Sequence, residues 1–364
     1  MNLRIPGPTP LPQSVRQAQG QEMISHRGAE FAALLREVTL HLRGFFQTQS
    51  DVLVLTASGT GGLEAALVNV LSPGDPVLAV SVGAFGERFA QIARAWGAQV
   101  IPLDFPWGEA LDPDAVARAL RDNSGVRLLL TTHNETSTGV LNDLEPVAEV
   151  LRGMGSQRPL WLVDAISSLG AVELPMDAWG CDLVISASQK AWMASPGLAL
   201  LGVGPRAWER MPQARCPRFY WDLAQARAFA QRGQTSFTPA VSVLYGLRAT
   251  LADMAQEGLP AIAARHRALA QRLRTGVRSL GLGLLAADAC ASPTVTAVCM
   301  AKGVSAVDVK RRLLAKHGVA VSAGMGILKD RVLRIAHLGY CRVEDIDEVL
   351  AALAAELGKE AGHA

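Results

Sequence analysis

The run "CDLVISASQKAW", Cys181 to Trp192, is apolar up to Ile185, then small and polar, and then reaches Gln189-Lys190. The end of a buried strand is a costly place for an ammonium, so Lys190 requires a chemical reason. Asp164, in "LWLVDAISSLG", poses the same problem for a carboxylate. It must be paired or hydrogen-bonded to stay ionised, or else it caps the turn that follows. "TASGTGG", Thr56 to Gly62, joins a strand pattern to a helix pattern. Small residues there let backbone amides approach an anion, and the helix dipole favours a phosphate. Ser58 and Thr60 add hydroxyl donors beside Gly59. On this segment alone a phosphate cradle and a plain tight turn fit equally. It is neither a dinucleotide fingerprint, since Glu64 stands where the third glycine would fall, nor a P-loop, since no G-K-[ST] closes it. Phe85, in "GAFG", can lie flat on a planar ligand or simply be core. "TTHNETSTG" carries more hydrogen-bonding side chains, from Thr131 to Thr138, than a loop needs.

One ligand uses all of these together. A phosphate cup, an aromatic platform, a buried carboxylate and a buried lysine are the parts that pyridoxal phosphate needs. The lysine attaches to its aldehyde, with a pKa depressed by desolvation. The carboxylate keeps the ring nitrogen protonated, so that the ring can draw electrons from substrate.

The elements that position these residues alternate. Helical spacing in "AEFAALLREVTLHLRGFF" is followed by the strand "DVLVLTA", the helix "LEAALVNVL", the strand "PVLAVSV" and the helix in "GAFGERFAQIARAWG", with Gly97 as its C′ glycine. The strand "QVIPLDF" and the helix "DPDAVARALRD" come next, with Asp112 as cap and Pro113 in the first turn. Then come "VRLLLTTH", "DLEPVAEVLRG", "PLWLVDA", "CDLVISAS" and "LALLGVG". Near-continuous apolar strands between amphipathic helices predict an α/β fold, a mainly parallel sheet covered by helices on both faces. In such sheets ligands bind beyond the carboxyl ends of the strands, where the residues above fall. Residues 206–240 read as irregular, with Pro212, Pro217 and Pro239, and one long helical pattern runs from Val241 towards Leu280. The strand and helix patterns from "TVTAVCM" to "VEDIDEVLAALAAEL" predict a smaller C-terminal α+β domain. The expected organisation is an N-terminal segment over 1–19, a large domain over 20–255 and a small domain over 256–364.

Bulk properties narrow the function. Among 364 residues, 49% are hydrophobic and 19% charged, as in ordinary globular enzymes. A formal net charge of +2 leaves no broad footprint for nucleic acid or an anionic membrane. Five cysteines without a C-x-x-C pair fit free thiols in a reducing cytoplasm. The N-terminus lacks an apolar signal region, and no stretch is long enough to predict a membrane span. Seven histidines show no H-E-x-x-H and no paired ligand spacing, so no metal is expected.

The sequence resembles the class V, fold-type I aminotransferases that use pyridoxal phosphate, in the alanine–glyoxylate and serine–glyoxylate branch. The segments that carry the resemblance run nearly end to end: "PGPTPLP", "SGTGGLEAALVNVLSPGD", "GAFGER", "TTHNETSTGVL", "LVDAISSLGAVELPMDAWGCDLVISASQKA", "TPAVSVLYGLRATL" and "VLRIAHLG". The resemblance implies that Lys190 forms the Schiff base and that Gln189, Ser58, Gly59 and Thr60 hold the phosphate. It implies that Phe85, where relatives often carry Trp, stacks on the ring, that Ile166 packs beneath it, that Thr136 contacts its hydroxyl side and that Asp164 pairs with its nitrogen. Thr238 would reach the phosphate of a neighbouring subunit, in a homodimer with shared sites. Thr235 stands where relatives often have the Tyr that joins it. Gly7 and Arg334 would bind substrate, and His26 and Arg27 match a feature near the site. Taken alone, Arg334 is either a guanidinium fork matched to a carboxylate or a strand arginine paired with a surface acid.

The expected reaction is a ping-pong transamination from alanine or serine to a 2-oxo acid, glyoxylate by resemblance. One substrate arginine favours a monocarboxylic donor. A cysteine desulfurase-like lyase is disfavoured, because Gln189 stands where that class has His before the lysine and "VSAGMGILKD" contains no cysteine. A nicotinamide oxidoreductase would leave Lys190 unexplained. A non-catalytic subunit of a larger assembly is the remaining alternative, against which the Lys190, Asp164 and Arg334 set argues.

Overall fold

A computed structural model describes residues 1–358 of the chain. Its central sheet has seven strands, in the order Asp51–Thr56, Leu198–Val203, Leu183–Ala187, Leu160–Asp164, Leu128–Thr132, Pro76–Ser81 and Gln99–Asp104. Leu198–Val203 runs antiparallel to both neighbours, and the other pairings are parallel. The register sets Thr132 beside Asp164 and Asp164 beside Ile185, so the strands ending in Thr132 and Asp164 finish level and Leu183–Ala187 runs two residues further.

Alternation along the buried strands fills two separate cores. Leu129, Trp161, Val163, Val184, Leu198 and Leu200 face one side, with Phe31, Val38 and Leu42 of the helix Ala29–Phe46. Leu128, Leu130, Leu160, Leu162, Leu183, Ile185 and Leu201 face the other, with Leu63 and Leu67 of the helix Gly59–Val70. A strand with both faces covered reads as a continuous apolar run, which is why these segments were legible.

Three boundaries depart from the sequence reading. The helix expected from Leu63 begins at Gly59, because the Ser58 hydroxyl accepts from the Gly61 amide and starts it a turn early. Gly62 sits in that helix because a Cβ there would lie 2.9 Å from the Ala199 Cβ and 3.0 Å from the Ile185 Cγ2 of the sheet. The single long helix expected after Val241 is two, Val241–Glu257 and Leu259–Ser279, divided at Gly258 with φ 79°. Gly258 adopts a left-handed conformation that ends the first helix, and Pro260 lies in the first turn of the second. The stretch read as irregular contains the helices Pro205–Arg210 and Leu223–Ala230, the second capped by Asp222, which accepts from the Gln225 amide at 2.9 Å.

A second sheet of four strands follows, in the order Gly283–Leu284, Val295–Cys299, Val332–Ala336 and Ser322–Ala323. Its core joins Val298, Leu333 and Ile335 to Leu313 of the helix Ala306–His317 and to Ile346 and Leu353 of the helix Val343–Leu357. Residues 359–364, the end of the expected C-terminal domain, lie outside the described residues. The N-terminal strand Asn2–Leu3 pairs in parallel with Val319–Ala320. Buried Arg4 then donates from its guanidinium to the Tyr340 carbonyl, and its own carbonyl accepts from the Ala336 amide. From this anchor the chain crosses to the end of the large sheet. Among the described residues, no helix is long and apolar enough to cross a membrane.

Candidate active site

Five parallel strands deliver the chemistry-bearing residues at their carboxyl ends, where the polar side chains that follow the apolar runs converge. They line one cavity of about 120 Å³, formed by Ser58, Gly59, Thr60, Phe85, Thr136, Asp164, Ile166, Gln189 and Lys190 together with Leu63, Arg88, Asn134 and Ser167.

Lys190 is half-buried, with its open side towards this cavity. Burial lowers its pKa to about 8, with Asp164 opposing and Arg334 and Arg88 assisting. Its ammonium donates to the Pro6 carbonyl of the N-terminal segment. Thr9 fastens that segment down: its amide donates to the Gln189 carbonyl at 3.1 Å and its hydroxyl to the Lys190 carbonyl at 3.0 Å. Gly7 leaves the necessary room. A Cβ there would lie 2.7 Å from Lys190 Nζ and 2.8 and 2.9 Å from its Cδ and Cε, and φ is 115°. Gly7→Ala is therefore expected to destabilise the folded chain by about 1–3 kcal/mol, read as a lowered midpoint in urea unfolding.

Asp164 ends its strand with Oδ1 accepting from the Ile166 amide at 2.9 Å. Burial raises its pKa to about 7; the Ile166 hydrogen bond opposes this, the charge of Glu135 adds to it, and Lys190 and Arg88 counter it.

The helix start at Ser58 spends the serine hydroxyl on Gly61 and the serine carbonyl on the Gly62 amide. The amides of Gly59 and Thr60 keep no acceptor among the described residues. Gln189 Oε1 and Asn134 Oδ1 are buried polar atoms without a partner among the described residues. Phe85 presents an aromatic ring, with the Arg88 guanidinium 4.8 Å from its centroid. Free helix-start amides, unpartnered side-chain amide oxygens, an aromatic ring, a lysine and a buried aspartate together fit a phosphorylated aldehyde on a pyridine ring.

The other expected residues lie elsewhere. Arg334, on the strand Val332–Ala336, donates from Nε to the Ala323 carbonyl at 2.9 Å and reaches the Thr136 carbonyl with Nη1 at 3.5 Å. It thus bridges the small sheet to the loop that carries Thr136, and it has no ion-pair partner among the described residues. Thr235 and Thr238 line a separate cavity with Thr56, Tyr220 and Phe237. Thr238 is exposed, and the Thr235 hydroxyl donates to the Phe237 carbonyl at 2.7 Å. Arg27 braces this segment by donating to the Thr235 carbonyl at 2.7 Å, and His26 is half-buried beside it in sequence.

Sequence reading missed Arg88, Asn134 and Ser167 as lining residues. Arg88 follows Phe85 by three positions on a helix, a spacing that shares a face, and Asn134 opens the two-residue strand that leads into Thr136. Within "TTHNETSTG" the polar residues divide. Asn134 and Thr136 face the cavity, Thr131 accepts from the Trp161 indole at 2.9 Å, and His133 packs edge-on to Trp179 with its pKa lowered to about 3 by burial. Among the described residues, no group of three or more His, Cys, Asp or Glu side chains is placed to hold a metal ion, and the cysteines are free thiols.

Comparison with known proteins adds three findings. The family described as aminotransferase class-V matches residues 6–349. The chain is 42% identical to the soluble hydrogenase small subunit of Synechococcus sp. (strain PCC 6716), covering 98% of this chain and 93% of that one, and 35% identical to the L-aspartate–glyoxylate aminotransferase of Paracoccus denitrificans, covering 92% and 85%. The crystal structure of an alanine–glyoxylate aminotransferase from Nostoc sp. superposes with a TM-score of 0.93 at 34% identity, covering 98% of this chain and 94% of that one.

Proposed function

The chain belongs to the class-V aminotransferases, pyridoxal-phosphate enzymes of fold type I, and on that premise we propose that it moves the amino group of alanine or serine to glyoxylate. The observation that supports this reading most is that Lys190, Asp164, Phe85, Gln189 and the open helix-start amides share one cavity. When bound, the cofactor supplies an aldehyde that captures amines and a ring that accepts electrons. Lys190 would hold it covalently. The Gly59 and Thr60 amides, the Ser58 and Thr60 hydroxyls and Gln189 would hold its phosphate. Phe85 and Ile166 would pack on the ring, Thr136 would meet its hydroxyl side, and Asp164 would keep the proton on its nitrogen.

For substrate, the neutral amine at Lys190 Nζ accepts the α-proton of the donor and later delivers a proton to the acceptor carbon. Arg334 binds the carboxylate common to donor and acceptor, beside Gly7 on the covering segment. Alanine and glyoxylate enter, and pyruvate and glycine leave, in two half-reactions at one site. Arg334→Lys is expected to raise KM for both substrates about tenfold with little change in kcat, because an ammonium cannot repeat the bidentate contact; steady-state kinetics with each substrate varied in turn reads this. Because the Lys190 pKa lies near 8 and only the neutral amine attacks an aldehyde, cofactor uptake by cofactor-free protein should quicken about tenfold per pH unit up to about pH 8 and then level off. Stopped-flow absorbance follows it.

Thr235 and Thr238 line a cavity apart from Lys190, which supports the reading that they serve a second copy in a homodimer. Sedimentation velocity tests that state. The functional test adds alanine, serine or aspartate singly to cofactor-loaded protein with glyoxylate and measures glycine. Aspartate is included because the Paracoccus relative is named for it and because Arg88 lines the cavity without a carboxylate partner among the described residues. Glycine formation with alanine or serine supports the proposal, and formation with aspartate alone reassigns the donor. The 42% identity to a protein named as a hydrogenase subunit favours one second reading, a non-catalytic partner in a larger assembly. A chain that takes up no cofactor would support it.

A further inference from the structure

Glu135 is a fully buried carboxylate for which the reaction above has no use. It stands in the two-residue strand Asn134–Glu135, between Asn134 and Thr136, which line the cavity. Alternation turns its side chain the other way, and there it meets the start of the helix Ala84–Ala95. One carboxylate oxygen accepts from the amides of Phe85 and Gly86, each at 3.0 Å. The other accepts from the Ser137 amide at 3.0 Å and the Ser137 hydroxyl at 2.6 Å. Ser137 Oγ in turn accepts from the Ala84 amide at 3.0 Å. The first three amides of the helix are thus held from a loop about fifty residues away. Gly83 makes the approach possible, since a Cβ there would lie 2.5 Å from Ser137 Oγ and 2.6 Å from Glu135 Cγ. A serine or aspartate at the helix's own N-cap would satisfy such an amide locally. A remote carboxylate satisfies them only while the two loops keep one spacing.

We propose that Glu135 is a positioning residue that fixes Phe85 at one distance from Asn134 and Thr136, and so sets how a bound cofactor ring is held between them. The inference rests on the function proposed above. Glu135→Gln turns one acceptor oxygen into a donor that faces N–H groups, so the clamp opens on one side. Ser137→Ala is the milder variant, removing one bond to the carboxylate and the acceptor for Ala84.

The test uses the full chain loaded with pyridoxal phosphate and measures visible-region circular dichroism per bound cofactor, kcat and KM, and the thermal midpoint of cofactor-free protein. For Glu135→Gln the cofactor should remain reducible onto lysine, while the dichroism falls about threefold and kcat about tenfold, with KM within about twofold. Ser137→Ala should move both in the same direction by about twofold, and it carries the test if the first variant does not fold. Dichroism and kcat at wild-type levels, with only the cofactor-free midpoint lowered, would overturn the inference and leave a purely structural clamp. A wild-type chain with no visible dichroism at all would overturn the proposed function and this inference with it.

Discussion

Lys190→Ala is expected to leave a folded protein whose transamination rate falls by at least about 10⁴-fold, because on the proposed function one side chain would supply both the covalent anchor and the proton carrier. Three observations support so large an effect. Lys190 is the lysine that lines the cavity, burial holds its pKa near 8, and the Pro6–Gly7 segment closes over its amine. Truncation removes a costly ammonium from a half-buried position, so the fold should not suffer; thermal unfolding checks that. After borohydride treatment the variant should carry no pyridoxyl-phosphate adduct on the peptide containing position 190. Added small amines should restore a measurable fraction of the rate, since the missing part is a base at a defined place. A variant retaining more than a tenth of wild-type turnover would remove Lys190 from the chemistry.

Asp164→Asn is the second large effect, a loss in kcat on the order of 100-fold with KM little changed. The substitution keeps an oxygen for the Ile166 amide and keeps the volume, so packing survives. What it removes is the charge that would hold a proton on the ring nitrogen. A charge-assisted hydrogen bond is worth about 1.5–3 kcal/mol, and tenfold in rate corresponds to about 1.4 kcal/mol, which gives that magnitude. In the cofactor-free chain burial pushes the Asp164 pKa up to about 7. The charged form is therefore costly there, and a cationic ring nitrogen would favour it. Loading wild-type protein with cofactor near pH 7 should accordingly release protons from Asp164, and Asp164→Asn should lose that part of the release, read in weakly buffered dye solution. Equal kcat in variant and wild type would mean that the acid serves only as a turn cap.

Much of this site was legible in the sequence because burial and chemistry conflict there. Lys190 and Asp164 stand out because each ends a run of apolar residues buried on both faces, where a charge needs a reason. Gly59 and its neighbours stand out because they follow a strand and open a helix. What local pattern cannot carry is contact across the chain. The closure of Pro6 and Gly7 over Lys190 spans more than 180 residues and depends on Arg4 anchoring the segment to the small sheet. The opposite facing of Asn134 and Glu135 needs a strand only two residues long, too short for its period to register. Likewise the break at Gly258 was hidden by apolar spacing that continues on both sides of it, and only the left-handed backbone reveals it. Arg88 was within reach, since its three-residue spacing from Phe85 on a helix puts both on one face.

The proposed chemistry depends on Lys190 carrying the cofactor. Borohydride reduction of the loaded protein, followed by proteolysis and mass spectrometry, tests it directly. One pyridoxyl-phosphate adduct is expected, on the peptide containing Gln189 and Lys190, formed in proportion to the visible absorption lost. An adduct on Lys302, Lys310 or another surface lysine, with Lys190 unmodified, would contradict it.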